Sequence, residues 1–472
     1  MDLNEVDRWL EDPGFLYRIR QLNADIVNED DNILYGLLAL FAKQSLEIQG
    51  KSSAGKNTIA EGILRLLPPE WWEKITGLSD KSLRYLENGK RILYVVERKG
   101  LRGGDKKDES TTEYDMKVCI SEGSIDILVT ERRPKKGQEG HGDEREFTTK
   151  KYSVKIDSFM MTSTDFDVPE ELENRLHIEK ARDDVNQNRL VRDRTLGDAE
   201  KFPWDLPRTD FTLVRMAIQK AEAEAPEHVV IPFATSLATI LNENETRVRR
   251  DTKKLLSLIK AVTRLNYRNR PIKESEGTRV LISMPEDFWM LYQIARGILA
   301  QTFTGLTDAH IAFWKACLEV ANENDGDITV KKMVEKARLR GLNQKSEGSV
   351  RNMIDVLTRK GILVKDEARK EGKGHIWMAV EKEPILPHLA ARGAINYSDL
   401  RERFKSWLDT NYIPLPETYA PGVCVHPLTG QTVNIYAKEN EMRNETEEES
   451  GSDQTNSPEF PHGAVDRGKL SP

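Results

Sequence analysis

Apolar residues recur along this chain in two rhythms, one ending near residue 195 and one following it. In the first part, NILYGLLALFAKQS (32–45) is an almost unbroken apolar stretch that predicts a buried helix leading into a short strand, LEIQG. After a glycine-rich turn, IAEGILRLLP sets Ile59, Ile63, Leu64 and Leu67 on one helical face. Pro68 and Pro69 then stop that helix. RILYVVE (91–97) is a continuous apolar run ending in an acid, the pattern of a buried parallel strand. GSIDILVTERR and EFTTKKYSVKIDS alternate around a polar tip, PKKGQEGHGDE, which predicts a hairpin with a long loop. SFMMTST is a second buried strand, ending in hydroxyl residues.

In the second part the period becomes helical. DFTLVRMAIQKAEAEA, TSLATILN and RVRRDTKKLLSLIKAVTRLNY read as helices, the last with Leu255, Leu258, Ile259, Val262 and Leu265 as its core stripe. Two more helices, DAHIAFWKACLEVANE and ITVKKMVEKARLR, precede a turn and then SVRNMIDVLTRKG, whose buried stripe is Val350, Met353, Ile354 and Leu357. ILVKDEARKEGKGHIWMAV follows as strand, basic loop and strand, the order of a winged helix-turn-helix. Beyond residue 437 the chain is rich in Glu, Ser and Asn, poor in apolar residues, and expected to be disordered.

With 472 residues the chain exceeds one core. The expected division is an N-terminal helical segment (1–30), an α/β core (31–195), an all-helical extension (196–300) and a winged unit (301–385). A C-terminal extension (386–437) and an acidic tail (438–472) complete it. No apolar run reaches the roughly 18 residues of a membrane span. Cys119, Cys317 and Cys424 lie far apart without a CxxC pair, which excludes a cysteine-rich zinc module and fits a reducing, cytoplasmic setting. The net charge of −7 argues against nucleic acid only on average, because RVRRDTKK and RRPKK are locally basic while the tail is acidic.

The chemistry gathers first at GKSSAGKNT (50–58). A glycine-rich turn between a strand and a helix turns backbone N–H groups, and the positive end of the helix, toward phosphate oxygens. Gly50, Ser53, Gly55, Lys56, Asn57 and Thr58 are the expected phosphate-binding residues, with Lys56 reaching the outer phosphates. Asn57 stands where such loops carry a magnesium-binding hydroxyl. Its amide carbonyl is a hard oxygen of different geometry, so binding is expected to survive better than hydrolysis. Glu97, at the end of RILYVVE, is the expected second metal ligand or water-orienting acid, followed by Arg98 where a further acid often stands.

Taken in order, IQGKSSAGKNTIAEGILRLLP, ILYVVE, ISEGSI, SFMMTSTDFDVPEELENRLHIE, IPFATSLATIL and the winged segment resemble one family. They look like the AAA+-like, superfamily-3-like helicase ATPase module of primase-helicase proteins from phages and mobile elements. The resemblance implies an AAA+-like fold, ATP and Mg²⁺ as cofactors, and a role in DNA replication. It implies that Thr164, with Thr162 and Ser163 beside it, is a water-positioning sensor. It also implies that Arg175 is an arginine finger reaching a neighbour's nucleotide in a ring of identical subunits. Otherwise Arg175 is a surface arginine beside Glu171 or Glu179. In this family a hairpin grips single-stranded DNA, a role that here would fall to Arg132, Arg133, Lys135 and Lys136; a solvated loop is the plainer alternative.

The winged unit adds candidates for duplex contact. Ser349, Arg351, Asn352 and Arg359 lie off the buried stripe, and Lys370, Lys373 and His375 lie on the wing. Arg247, Arg249, Arg250, Lys253 and Lys254 offer another phosphate-facing side. The expectation is an ATP-dependent DNA-acting helicase or loader. Its alternatives are a winged-helix regulator with a degenerate nucleotide switch, and a small-molecule kinase.

Overall fold

A computed structural model describes residues 3–76, 83, 90–97, 111–134, 145–164, 170–206, 208–241, 248–304, 308–324, 326–342, 346–359, 362–371, 374–379, 397–415 and 419–436. The chain begins with helices α1 (Leu3–Glu11), α2 (Phe15–Leu22) and α3 (Asp30–Phe41). Asn32 through Phe41 are all buried, as an apolar helix with no polar face requires. Strand β1 (Leu46–Gln49) follows and runs through the glycine-rich turn into α4 (Lys56–Leu64). Ile59, Ile63, Leu64 and Leu67 are buried, and the helix closes before the proline pair.

Five parallel strands form the central sheet, adding β2 (Trp72–Ile75), β3 (Ile92–Val95), β6 (Ser158–Ser163) and β7 (His177–Lys180) in the order β2-β3-β6-β1-β7. The protein is thus mixed α/β around a parallel sheet. Between β3 and β6 come α5 (Thr111–Glu122) and the long antiparallel hairpin of β4 (Ser124–Pro134) and β5 (Arg145–Lys155), with α6 (Glu170–Glu173) after β6. Alternation gives the sheet two faces. Leu46, Ile48, Ile92, Tyr94 and Met160 join the main core with α3 and α4. Leu93, Val95, Phe159 and Met161 pack with Met116, Cys119 and Ile125 on the other side.

Helix α7 (Val185–Ala199) leaves the sheet, and α8 (Thr212–Glu224), α9 (Val248–Leu265) and α10 (Pro285–Thr304) follow. The extension is not all-helical as expected. It carries a three-stranded sheet of β8 (His228–Val230), β9 (Ile272–Ser275) and β10 (Thr278–Ile282), in the order β8-β10-β9. Glu276 (φ 51°) and Gly277 (φ 73°) make a two-residue turn of positive φ whose twist matches paired strands. β-Branched residues in HVV and TRVLI supply the pairing. TSLATILN is a short 3-10 helix, Ala234–Ile240, rather than a longer α-helix.

Helices α11 (Asp308–Glu323), α12 (Val330–Leu339) and α13 (Glu347–Arg359) and the antiparallel pair β11 (Leu363–Glu371) and β12 (Gly374–Ala379) follow in the expected order. They enclose a core of their own, with Val350, Met353, Ile354 and Leu357 inside. Helix α14 (Tyr397–Thr410) then rejoins the main core through Leu400, Phe404 and Leu408. A final hairpin, β13 (Val423–Val425) and β14 (Thr432–Asn434), closes the described chain. The main core runs from Val6 to Leu408 and includes Phe15, Ile19 and Val214. The three cysteines are free and buried. Among the described residues no helix is long and apolar enough to cross a membrane.

Candidate functional site

Three strands deliver side chains to one end of the sheet. The glycine-rich loop leaves β1, Glu97 follows β3, and Thr162 to Thr164 end β6, which lies between the other two. This is the carboxyl end of a parallel sheet, where crevices form because successive connections part.

The loop needs its glycines for different reasons. A Cβ on Gly50 would stand 3.2 Å from the Cβ atoms of Ala54 and Ala181. Gly55 caps α4 at φ 82°, a left-handed conformation that costs an L-residue about 1–2 kcal/mol. Ser53 adopts φ 67° without that freedom, so the loop stores strain at its exposed tip. The first turn of α4 directs N–H groups that have no intrahelical acceptor.

Lys56 is folded back into the loop, its Nζ donating to the carbonyls of Gly50 and Lys51 at 2.8 Å each. Burial lowers its ammonium pKa, and the Glu97 carboxylate opposes that shift. Glu97 Oε1 in turn accepts from the Thr164 backbone N–H at 3.3 Å and from its hydroxyl at 3.4 Å. Asn57 Oδ1 lies 3.3 Å from the Tyr94 hydroxyl and 3.3 Å from the Thr162 hydroxyl, which also contacts the Val96 carbonyl. Tyr94 and Thr162 are fully buried. Among the described residues, no three His, Cys, Asp or Glu side chains gather as a metal-holding group.

Beside the loop is a pocket of about 280 Å³, lined by Val27, Ser53, Gly55, Thr58, Gln187 and Val191 among others. Its walls are the turn before α3 and one side of α7. Gln187 fixes them together, with Nε2 donating to the Val27 carbonyl at 2.8 Å and Oε1 accepting from Asn28 at 3.0 Å. Arg182 clamps the same corner, paired with Asp31 at 2.5 Å and Glu29 at 3.3 Å. Thr58 lines this pocket, while Asn57 turns toward Tyr94.

Gly50, Ser53, Gly55, Lys56, Asn57, Thr58, Glu97 and Thr164 are therefore brought together. Arg175 lies elsewhere, held within its own chain. Its guanidinium donates to the Lys117 carbonyl at 2.7 Å and to Ser121, and it pairs with Glu171 at 2.6 Å. Arg98, Lys135, Lys136, Arg247 and Lys373 lie outside the described residues. Arg132 and Arg133 occupy β4 opposite Phe147 and Glu146, and Lys370 occupies β11 opposite His375. Arg351 and Asn352 are exposed on α13, Arg351 3.5 Å from Glu347. Arg249, Arg250 and Lys253 are exposed on α9, but Lys254 is not. It shares the buried side with Leu255 and Leu258 and donates to the Leu176 carbonyl at 2.8 Å.

Sequence reasoning missed Tyr94, Arg182 and Gln187. Tyr94 was readable only as an apolar strand residue, and Gln187 lies on a helix without an apolar stripe. The chain matches no protein-family model, and no curated protein matches it.

Proposed function

We propose that this protein binds ATP at the loop of Gly50 to Thr58 and couples it to action on DNA, as a helicase-like or loader ATPase of AAA+-like type. One observation carries the reading: Lys56, Glu97 and Thr164 converge where parallel strands end, beside the first turn of a helix. Nucleotide phosphates would take Lys56 Nζ from the Gly50 and Lys51 carbonyls, and the adjoining pocket would take the nucleoside. Glu97, oriented by Thr164, is the group to polarise an attacking water. The basic hairpin and the winged unit, with Arg351 and Asn352 exposed, would meet DNA.

The expected metal fits only in part. Glu97 offers a carboxylate, but Asn57 Oδ1 faces two buried hydroxyls instead of an open position. That observation, with Arg175 tied inside its own chain, favours a second reading, a DNA-binding regulator in which nucleotide switches assembly. Phosphate release with and without single-stranded DNA separates the two. The motor reading expects DNA-stimulated release that Lys56→Ala abolishes; equal release from both proteins overturns it. A ring with Arg175 acting in trans expects Lys56→Ala and Arg175→Ala, each inactive alone, to recover turnover when mixed. No recovery leaves Arg175 as a bond within its own subunit.

A further inference from the structure

The amide of Asn57 has one acceptor atom and one donor group. Its oxygen faces Tyr94 OH and Thr162 Oγ1, both at 3.3 Å. The sheet fixes both hydroxyls: Tyr94 pairs in register with Met160, and Thr162 stands two residues further along β6 on the same face. Neither side chain reaches water. Burial pushes the Tyr94 phenol up to about 12, so it remains a donor at neutral pH. Thr162 has one proton to share between Asn57 and the Val96 carbonyl, so Tyr94 is the donor that fixes the amide. With the amide reversed, the phenol would meet an NH₂ group and its proton would lose the acceptor on this side.

We propose that Asn57 presents its amide nitrogen to the phosphates, and that this loop binds nucleotide without a divalent cation at the Asn57 position. Magnesium accepts oxygen ligands and repels an N–H donor, whereas a phosphate oxygen accepts from one. Asn57 is exposed beyond its held oxygen, at the first turn of α4. The amide and Lys56 Nζ then share the charge compensation that a magnesium ion otherwise supplies. Tyr94 is a positioning residue in this arrangement, acting through Asn57.

The inference rests on the nucleotide reading above, and one titration separates their failures. The full-length protein is titrated calorimetrically with ATP, and separately with ADP, in magnesium and again in EDTA. The expected result is affinities within about threefold of each other, a difference under about 0.7 kcal/mol. Asn57→Thr restores a hydroxyl and is expected to weaken binding in EDTA by about tenfold relative to magnesium. Tyr94→Phe releases the amide and is expected to move the same way. Binding that requires magnesium in the unaltered protein overturns the inference and leaves the nucleotide reading standing. Absence of binding in both buffers overturns the two together. The comparison of buffers on the unaltered protein stands even where a variant does not fold.

Discussion

Glu179 is a carboxylic acid on β7 with no exposed surface, and among the described residues neither of its oxygens has a hydrogen-bond partner. Burial, and then the charges of Asp31 and Glu29, hold its pKa well above the ordinary carboxylate range. It is therefore neutral in the folded chain at a pH where the unfolded chain ionises it. His177, two residues before it, is held well below the usual imidazole value by burial and by Lys254. Tyr35 OH meets its Nδ1 at 2.5 Å, which fixes the neutral ring. The signs oppose. Glu179 costs stability as pH rises above about 4.5, up to its raised folded pKa, while His177 costs stability as pH falls below about 6.5. Glu179→Gln should leave the unfolding midpoint nearly unchanged at pH 4 and raise it at pH 8, read by thermal unfolding across pH. Tyr35→Phe strips His177 Nδ1 of its hydrogen-bond partner and should cost about 1–3 kcal/mol at either pH.

At the level of elements, what could be read from the sequence depended on whether burial follows hydrophobicity. The stripe of α13 and the run RILYVVE were legible because apolar residues fill their buried positions. Helix α9 and SFMMTST were legible because theirs carry the pattern even with Asp251, Lys254 and Thr263, or Ser158, Thr162 and Ser163, buried among them. Strand β7, HIEK, was illegible because His177 and Glu179 are buried in neutral form, which no hydrophobic pattern records. The sheet of β8, β9 and β10 was hidden between helices of strong period, its clue the Glu276–Gly277 turn. The loop was legible in full, yet the partners of Asn57 were not, since Tyr94 and Thr162 reach it only through strand order. Helix α7 was missed for a related reason: of its fifteen residues only Gln187 is buried. It serves as a pocket wall, so Val191→Glu should weaken nucleotide binding by about 1 kcal/mol, roughly fivefold in Kd, while leaving the unfolding midpoint unchanged. The C-terminal hairpin is tied down differently. Glu286 accepts from the Gly422 N–H at 2.5 Å and from Tyr419 at 2.9 Å. A Cβ on Gly422, at φ 79°, would stand 2.3 Å from the Tyr436 ring. Gly422→Ala should therefore cost about 1–2 kcal/mol for the left-handed backbone and about 1–3 kcal/mol for the displaced ring, measured by chemical denaturation.

At the scale of the molecule, the described residues form three apolar clusters, one on each face of the parallel sheet and one within the unit from α11 to β12. The unit from α11 to β12 encloses its own apolar cluster, and the segments on either side of it, α10 and α14, both belong to the main one. It is an insertion with two attachments rather than a terminal appendage. Replacing residues 305–396 with a short flexible linker should preserve ATP binding and abolish duplex binding, read by calorimetry and by a gel-shift titration at fixed salt. Duplex affinity of the whole protein should fall steeply with added salt, because contacts to phosphates release counterions.

The meeting of the first helices with the last hairpin sets a timetable for synthesis. Gly430 packs against the Tyr17 ring, and Val425 approaches Gly14. At roughly 5–20 residues per second on the ribosome, about 20–80 s separate the emergence of α2 from that of the hairpin that covers it. Over that interval α2 and α3 can already pack on each other and on α4, while α1 waits for α8 and α3 for α9 and α10. The inserted unit has only neighbouring helices to gather and can close as soon as it emerges. The five strands of the parallel sheet all end by Lys180, so the part read as nucleotide-facing can assemble before the inserted unit emerges, and what waits until last is the cover over Gly14 and Tyr17.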